Sequence, residues 1–71
     1  SDKTIKAITE VRAYNHQLHQ MPNEWKDKTI CKAATAGYNQ YYSELQQTRN
    51  ITDNNYEKRL INDFLRTLNH L

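Results

Sequence analysis

Apolar residues recur along this chain every three or four positions, with polar residues filling the intervals. Between about Lys3 and Gln20, the residues Ala7, Ile8, Val11, Tyr14 and Leu18, with Met21 just beyond, fall on one stripe of a helical wheel. That is the spacing of an amphipathic helix. Asp2 at its start suits the positive end of the helix dipole. Pro22 ends it, because the residue before a proline avoids the α region. Asn23 reads as the N-cap of a second helix beginning at Glu24, after a loop short enough to make the two helices antiparallel neighbours. Trp25 is expected to pack back over the corner near Met21. In the second helix Ile30, Ala34, Tyr38, Tyr41 and Leu45 share a face. The stripe keeps its phase across Gly37, so we read the helix as continuous to about position 48, although a glycine there costs about 1 kcal/mol relative to alanine. Ala33, Ala34, Ala36 and Gly37 together would let a helix or an aromatic ring approach closely.

A third helix follows Arg49-Asn50. Thr52 is the expected cap with Asp53 in the first turn, and Ile51 and Tyr56 have the spacing of a hydrophobic staple. Its core stripe is wide: Leu60, Ile61, Phe64, Leu65, Leu68 and Leu71. The opposite face carries Arg59, Asp63, Arg66 and His70, with Arg59 and Asp63 at a pairing distance of one turn. The Leu-rich run to the last residue points to a docked C-terminus. No segment alternates apolar and polar residues as a strand does, and no hairpin turn is encoded. The pattern therefore predicts an all-α, small three-helix domain, an antiparallel helical hairpin plus a C-terminal helix. The helices lie at about 3–20, 24–48 and 53–70, within a single domain over residues 1–71. A chain of this length buries only ~60% of its unfolded surface, so homodimerisation through the wide third stripe is one way to complete the core.

Composition narrows the chemistry. One glycine and one proline in 71 residues argue against a loop-rich fold. The eight asparagines and five glutamines sit between regularly spaced apolar residues, and so read as solvated helix faces and caps rather than disorder. A single cysteine, Cys31, excludes an internal disulfide framework, and a free thiol suits a reducing compartment, which makes a cytoplasmic location the expectation. No run approaches the ~18 apolar residues of a membrane span, and no signal-peptide pattern opens the sequence. The net charge of +2 is scattered.

Several constellations have the residue types of a site. Ala33 to Gly37 has the Ala-x-x-x-Gly spacing of a helix-turn-helix, but Lys32, Ser43 and Gln46 stand where that motif needs apolar residues. A degenerate helix-turn-helix-like segment at 29–48 is the alternative reading. Lys26, Lys28 and Lys32, with Arg59 and Arg66, are the candidate nucleic-acid contacts, although Glu24 and Asp27 dilute the lysine group. His16 and His19 lack the further ligands that zinc requires and read as surface histidines, so no metal and no cofactor is expected. Cys31 has no histidine near it in sequence. It reads as structural even with Lys28 and Lys32 beside it. With no glycine-rich phosphate loop and little room for a pocket, the chain is not expected to be an enzyme.

Tyr38, Tyr41 and Tyr42 occupy more than one face of the second helix, with Tyr42 the most outward. Tyrosine favours interfaces because it joins a large apolar body to a hydroxyl. The expected function is thus a non-enzymatic regulator or adaptor acting by protein–protein interaction, modulating transcription by binding a regulatory protein. Tyr38, Tyr41, Tyr42, Leu65 and Leu68 are the expected partner-binding residues. The expected partner is a protein, with a second copy and nucleic acid as alternatives and no membrane.

Overall fold

The computed structural model of the chain describes residues 1–69. It contains three α-helices, α1 (Asp2–His19), α2 (Thr29–Ile51) and α3 (Asn55–Asn69), with a 3-10 turn (Asn23–Trp25) between the first two, and no strand among the described residues. The all-α three-helix class read from the pattern is what the chain adopts. The Tyr14 side chain of α1 meets Gly37 and Tyr41 of α2, while Thr4 near the start of α1 meets Glu57 near the start of α3. The first two helices are therefore antiparallel, and α3 returns alongside α1.

The core draws on all three. Val11, Leu45 and Ile61 are 0–1% exposed, one from each helix. Ala7, Ile8, Phe64, Leu65 and Leu68 complete the buried cluster, with Tyr38, Tyr41, Tyr42 and Leu60 packed against it. Periodicity explains α3 best: Glu57, Ile61, Phe64, Leu65 and Leu68 fall on one stripe, and all are buried.

Helix ends depart from the sequence reading. Asn23 opens the 3-10 turn instead of capping α2. Lys28 is extended, and α2 begins at Thr29 with no side-chain cap. No residue from Pro22 to Ile30 is buried, so no tertiary contact offsets the entropy of another helical turn here. The same opening leaves Ile30 and Trp25 exposed, against their expected inward positions. At the other end α2 runs on to Ile51. There Thr52 turns extended, its hydroxyl accepting from the Asn54 N–H at 3.2 Å. Asn54, not Thr52, caps α3. Its side-chain carbonyl accepts from the N–H groups of Tyr56 at 2.9 Å and Glu57 at 3.2 Å. With the cap moved by two residues the Ile51–Tyr56 staple does not form, and both side chains stand in solvent. Asp63 pairs with Arg66 at 2.7 Å in place of the expected Arg59. His70 and Leu71 lie outside the described residues, and with them the expected docking of the C-terminus.

Helix α2 is continuous through Gly37, as the unbroken stripe predicts. The reason for glycine is steric. A Cβ built there would lie 2.6 and 2.9 Å from two carbons of the Tyr14 ring, closer than any real contact. The ring rests on the α2 backbone and stacks on Tyr41, centroids 6.4 Å apart. In a Tyr14→Ala background, Gly37→Ala should stabilise the fold by about 1 kcal/mol through helix propensity. With Tyr14 present it should lose that gain and cost about 1–3 kcal/mol as overpacking. Urea titration of the four variants measures this coupling, and an identical effect in both backgrounds would refute the ring-seat account.

Glu57 is the one buried carboxylate among the described residues. It accepts a hydrogen bond from the α-amino group of Ser1 and one from the Thr4 hydroxyl at 2.7 Å. These two donors, in that order, hold its carboxyl below the ordinary glutamate range, against the upward push of burial. A depressed folded pKa contributes stability that is complete above the unfolded value of ~4.3 and is lost as pH falls through the folded value. Glu57→Gln should therefore flatten the fall in melting temperature between pH 6 and pH 3. Thr4→Val should move the Glu57 carboxyl titration upward in NMR.

Candidate functional site

Helix α3 carries three distinct faces, and they organise what the molecule offers to others. The first is the core stripe. The second is a ridge about 60–120° round the helix from Glu57, formed by Tyr56, Leu60, Asp63 and Thr67. The matching ridge of α1 carries Ile5, Ile8 and Arg12. Between them lies a groove of about 440 Å³, lined by Ile8, Arg12, Leu60, Asp63, Phe64, Thr67 and Leu68. Its floor is apolar, and its lips hold Arg12 on one side and Asp63 on the other. The Arg12 guanidinium sits 5.4 Å from the centre of the Phe64 ring, in cation–π range. No carboxylate among the described residues pairs with it.

Ile5 and Tyr56 extend this groove by one turn. Ile5 precedes Ile8 by three residues and Tyr56 precedes Leu60 by four, so each continues its own wall. They are 57% and 72% exposed, a large apolar surface for a chain with so small a core. Ile51, 80% exposed, closes α2 at the same end of the bundle. Beyond Arg12 the α1 ridge continues into a shallow depression with Asn15, His16 and His19. His19 Nδ1 lies 2.8 Å from the Asn15 carbonyl oxygen, and no cluster of metal-ligating side chains forms among the described residues.

The third face of α3 points away from the bundle. Asn55, Arg59, Asn62 and Arg66 follow at intervals of four, three and four residues, which places them within about 60° of arc opposite the core. They line an open polar depression together with Lys58 and Asp63. Arg49 reaches it from α2, donating to the Asn62 side-chain carbonyl at 3.4 Å.

The residues expected to bind a partner are distributed differently. Leu65 and Leu68 are buried in the chain's own core; Leu65 holds α3 in place, while the edge of Leu68 also lines the end of the α1–α3 groove. Tyr38, Tyr41 and Tyr42 are all half-buried, and all three pack against the core cluster. Tyr38 and Tyr42 stack at 5.7 Å, and Tyr41 stacks on Tyr14. Burial, then the neighbouring Tyr42, push the Tyr38 hydroxyl above its ordinary range. The tyrosines form a packed layer over the core. Lys26, Lys28 and Lys32 are exposed around the start of α2, apart from the Arg59 and Arg66 stripe. The segment 29–48 is one unbroken helix, so it lacks the turn that a helix-turn-helix requires. Cys31 is a half-buried free thiol.

Sequence reasoning did not single out Ile5, Arg12 or Tyr56 as a groove, nor Asn55 and Asn62 as members of the arginine stripe. The four-three-four spacing was the signal available for the latter. No helix among the described residues is long and apolar enough to cross a membrane. No protein-family model, curated protein or solved structure matches the chain.

Proposed function

We propose that this chain is a non-enzymatic binding module, a regulator or adaptor that docks an amphipathic helix of a protein partner along the α1–α3 groove. The observation that carries the reading is the continuity of apolar surface from Ile5 and Tyr56 over Ile8 and Leu60 to Phe64, with an uncompensated cation at Arg12. An amphipathic helix buries such a surface through residues at intervals of three and four. The stretch from Tyr56 to Leu68 spans about 18 Å, or three helical turns of a partner. Arg12 selects the sign of that helix, since a carboxylate placed over the groove lip meets a guanidinium already oriented by Phe64. Partners that regulate transcription fall within this reading.

The test uses two model peptides with the same leucine pattern at positions i, i+4, i+7 and i+11, one flanked by glutamates and the other by lysines. The acidic peptide should shift the amide resonances of Ile5, Ile8, Arg12, Leu60 and Phe64. Arg12→Glu should transfer the preference to the basic peptide, and Tyr56→Ala should weaken binding roughly tenfold without loss of helicity. Shifts by neither peptide, or shifts centred on Tyr38 and Tyr42, would remove the groove as the docking site. If sedimentation instead shows the free chain self-associating, with Tyr56→Ala making it monomeric, the groove's occupant is a second copy.

A further inference from the structure

The outer face of α3 is a second surface, and its chemistry differs from that of the groove. Three of the chain's four arginines, Arg49, Arg59 and Arg66, stand here with Lys58. The single carboxylate that lines the depression is Asp63, already held by Arg66 at 2.7 Å. Four of the ten Lys and Arg residues and one of the eight Asp and Glu residues thus give this face a formal +3, leaving −1 for the remainder of the chain. The modest overall charge conceals a strongly polarised one.

The order of side chains is also informative. Along one stripe the sequence runs Asn55, Arg59, Asn62, Arg66, with every member exposed. Arginine and asparagine present paired donors, or a donor beside an acceptor, in a fixed plane. In the major groove they match the edges of guanine and adenine respectively. The stripe is about 16 Å long. A helix with its side chains is ~10–12 Å across and fits a major groove ~12 Å wide. Because α3 lies outside the α1–α2 hairpin, its outer half is clear of the rest of the fold. Lys58 and Arg49 flank the stripe on the α2 side, where the phosphate backbone would run.

We infer that the outer face of α3 binds duplex DNA in the major groove, with Asn55, Arg59, Asn62 and Arg66 toward the base edges and Lys58 and Arg49 toward phosphates. The docking groove on the α1 side of α3 shares only Asp63 with this face, and none of the residues assigned here to DNA lines it, so the inference does not rest on the protein-docking reading.

A fluorescein-labelled random-sequence duplex titrated with the full chain, followed by anisotropy at 50 and 150 mM salt, tests it. Binding should be micromolar at the lower salt and weaken steeply at the higher. Arg59→Ala and Arg66→Ala should each weaken binding roughly tenfold and reduce the log–log salt slope by about 1, with unchanged far-UV circular dichroism. Lys28→Ala and Lys32→Ala should have no effect. Selection from a randomised duplex pool should then yield a short consensus containing G and A, relaxed at one position by Asn62→Ala. No binding at 50 mM salt, arginine variants that bind like the wild type, or dependence on Lys28 and Lys32 would overturn the assignment. Binding without any consensus would overturn the base-edge contacts.

Discussion

Val11, Leu45 and Ile61, one from each helix, are the most deeply buried side chains of the single core cluster, and the position of every surface on this molecule follows from their facing inward. Among the described residues the core comprises nine buried apolar side chains, and few of them could be lost before the fold became marginal. Because Ile61 must face inward, the rotation of α3 about its axis is fixed. That rotation puts Leu65 and Leu68 inward, Tyr56 and Leu60 on the edge toward α1, and Arg59 and Arg66 directly outward. The same inward packing thus decides which residues of α3 are structural and which are free to act.

Two polar or steric devices reinforce this arrangement at its ends. At one end Thr4 and Ser1 hold the Glu57 carboxylate, fixing the first turn of α3 against the first turn of α1. At the other the Tyr14 ring lies on Gly37, where α2 carries no side chain to hold the ring off, and stacks on Tyr41 one turn further along. The tyrosines then serve a packing role. A core this thin leaves gaps at its margin, and stacked rings with a hydroxyl at the solvent edge close them without burying unsatisfied polar atoms.

The fold was legible because apolar spacing reports burial directly. Ala7, Ile8, Val11, Ala34, Leu45, Ile61 and Phe64 were all placed inward by period alone, and continuity through Gly37 followed from unbroken phase. Helix ends were less legible, since they depend on competition between neighbouring caps. Thr52 and Asn54 are both good N-caps in sequence; in the structure Thr52 instead accepts from the Asn54 N–H, and Asn54 takes the cap. The candidate surfaces were harder still. A wide stripe does not say which of its leucines also reaches a surface: Leu65 and Leu68 both fall inward with the core stripe, and only Leu68 borders the groove. The α1–α3 groove joins residues some fifty positions apart, and no local pattern announces it. The outer stripe of α3 was half visible: its arginines stood out as charges, but Asn55 and Asn62 were absorbed into an amide-rich composition.

The two candidate surfaces constrain one another through Asp63. It lines both the apolar groove and the polar depression, and Arg66 holds it at 2.7 Å. A carboxylate shared in this way cannot respond to both occupants independently. A basic group arriving in the groove would compete for Asp63 and release Arg66 toward the outer face. An acidic group meeting Arg12 would leave the Asp63–Arg66 pair intact. On the proposed docking, an acidic helix in the groove would leave the charge of the outer face set by Arg59, Lys58 and Arg49. Coupling between the faces, if a partner exploits it, would pass through a solvent-exposed ion pair, and exposed pairs are worth only ~0.2–1 kcal/mol. Occupancy of one face would thus alter affinity at the other by no more than about fivefold. The two candidate surfaces therefore lie side by side on one helix, coupled only weakly through Asp63.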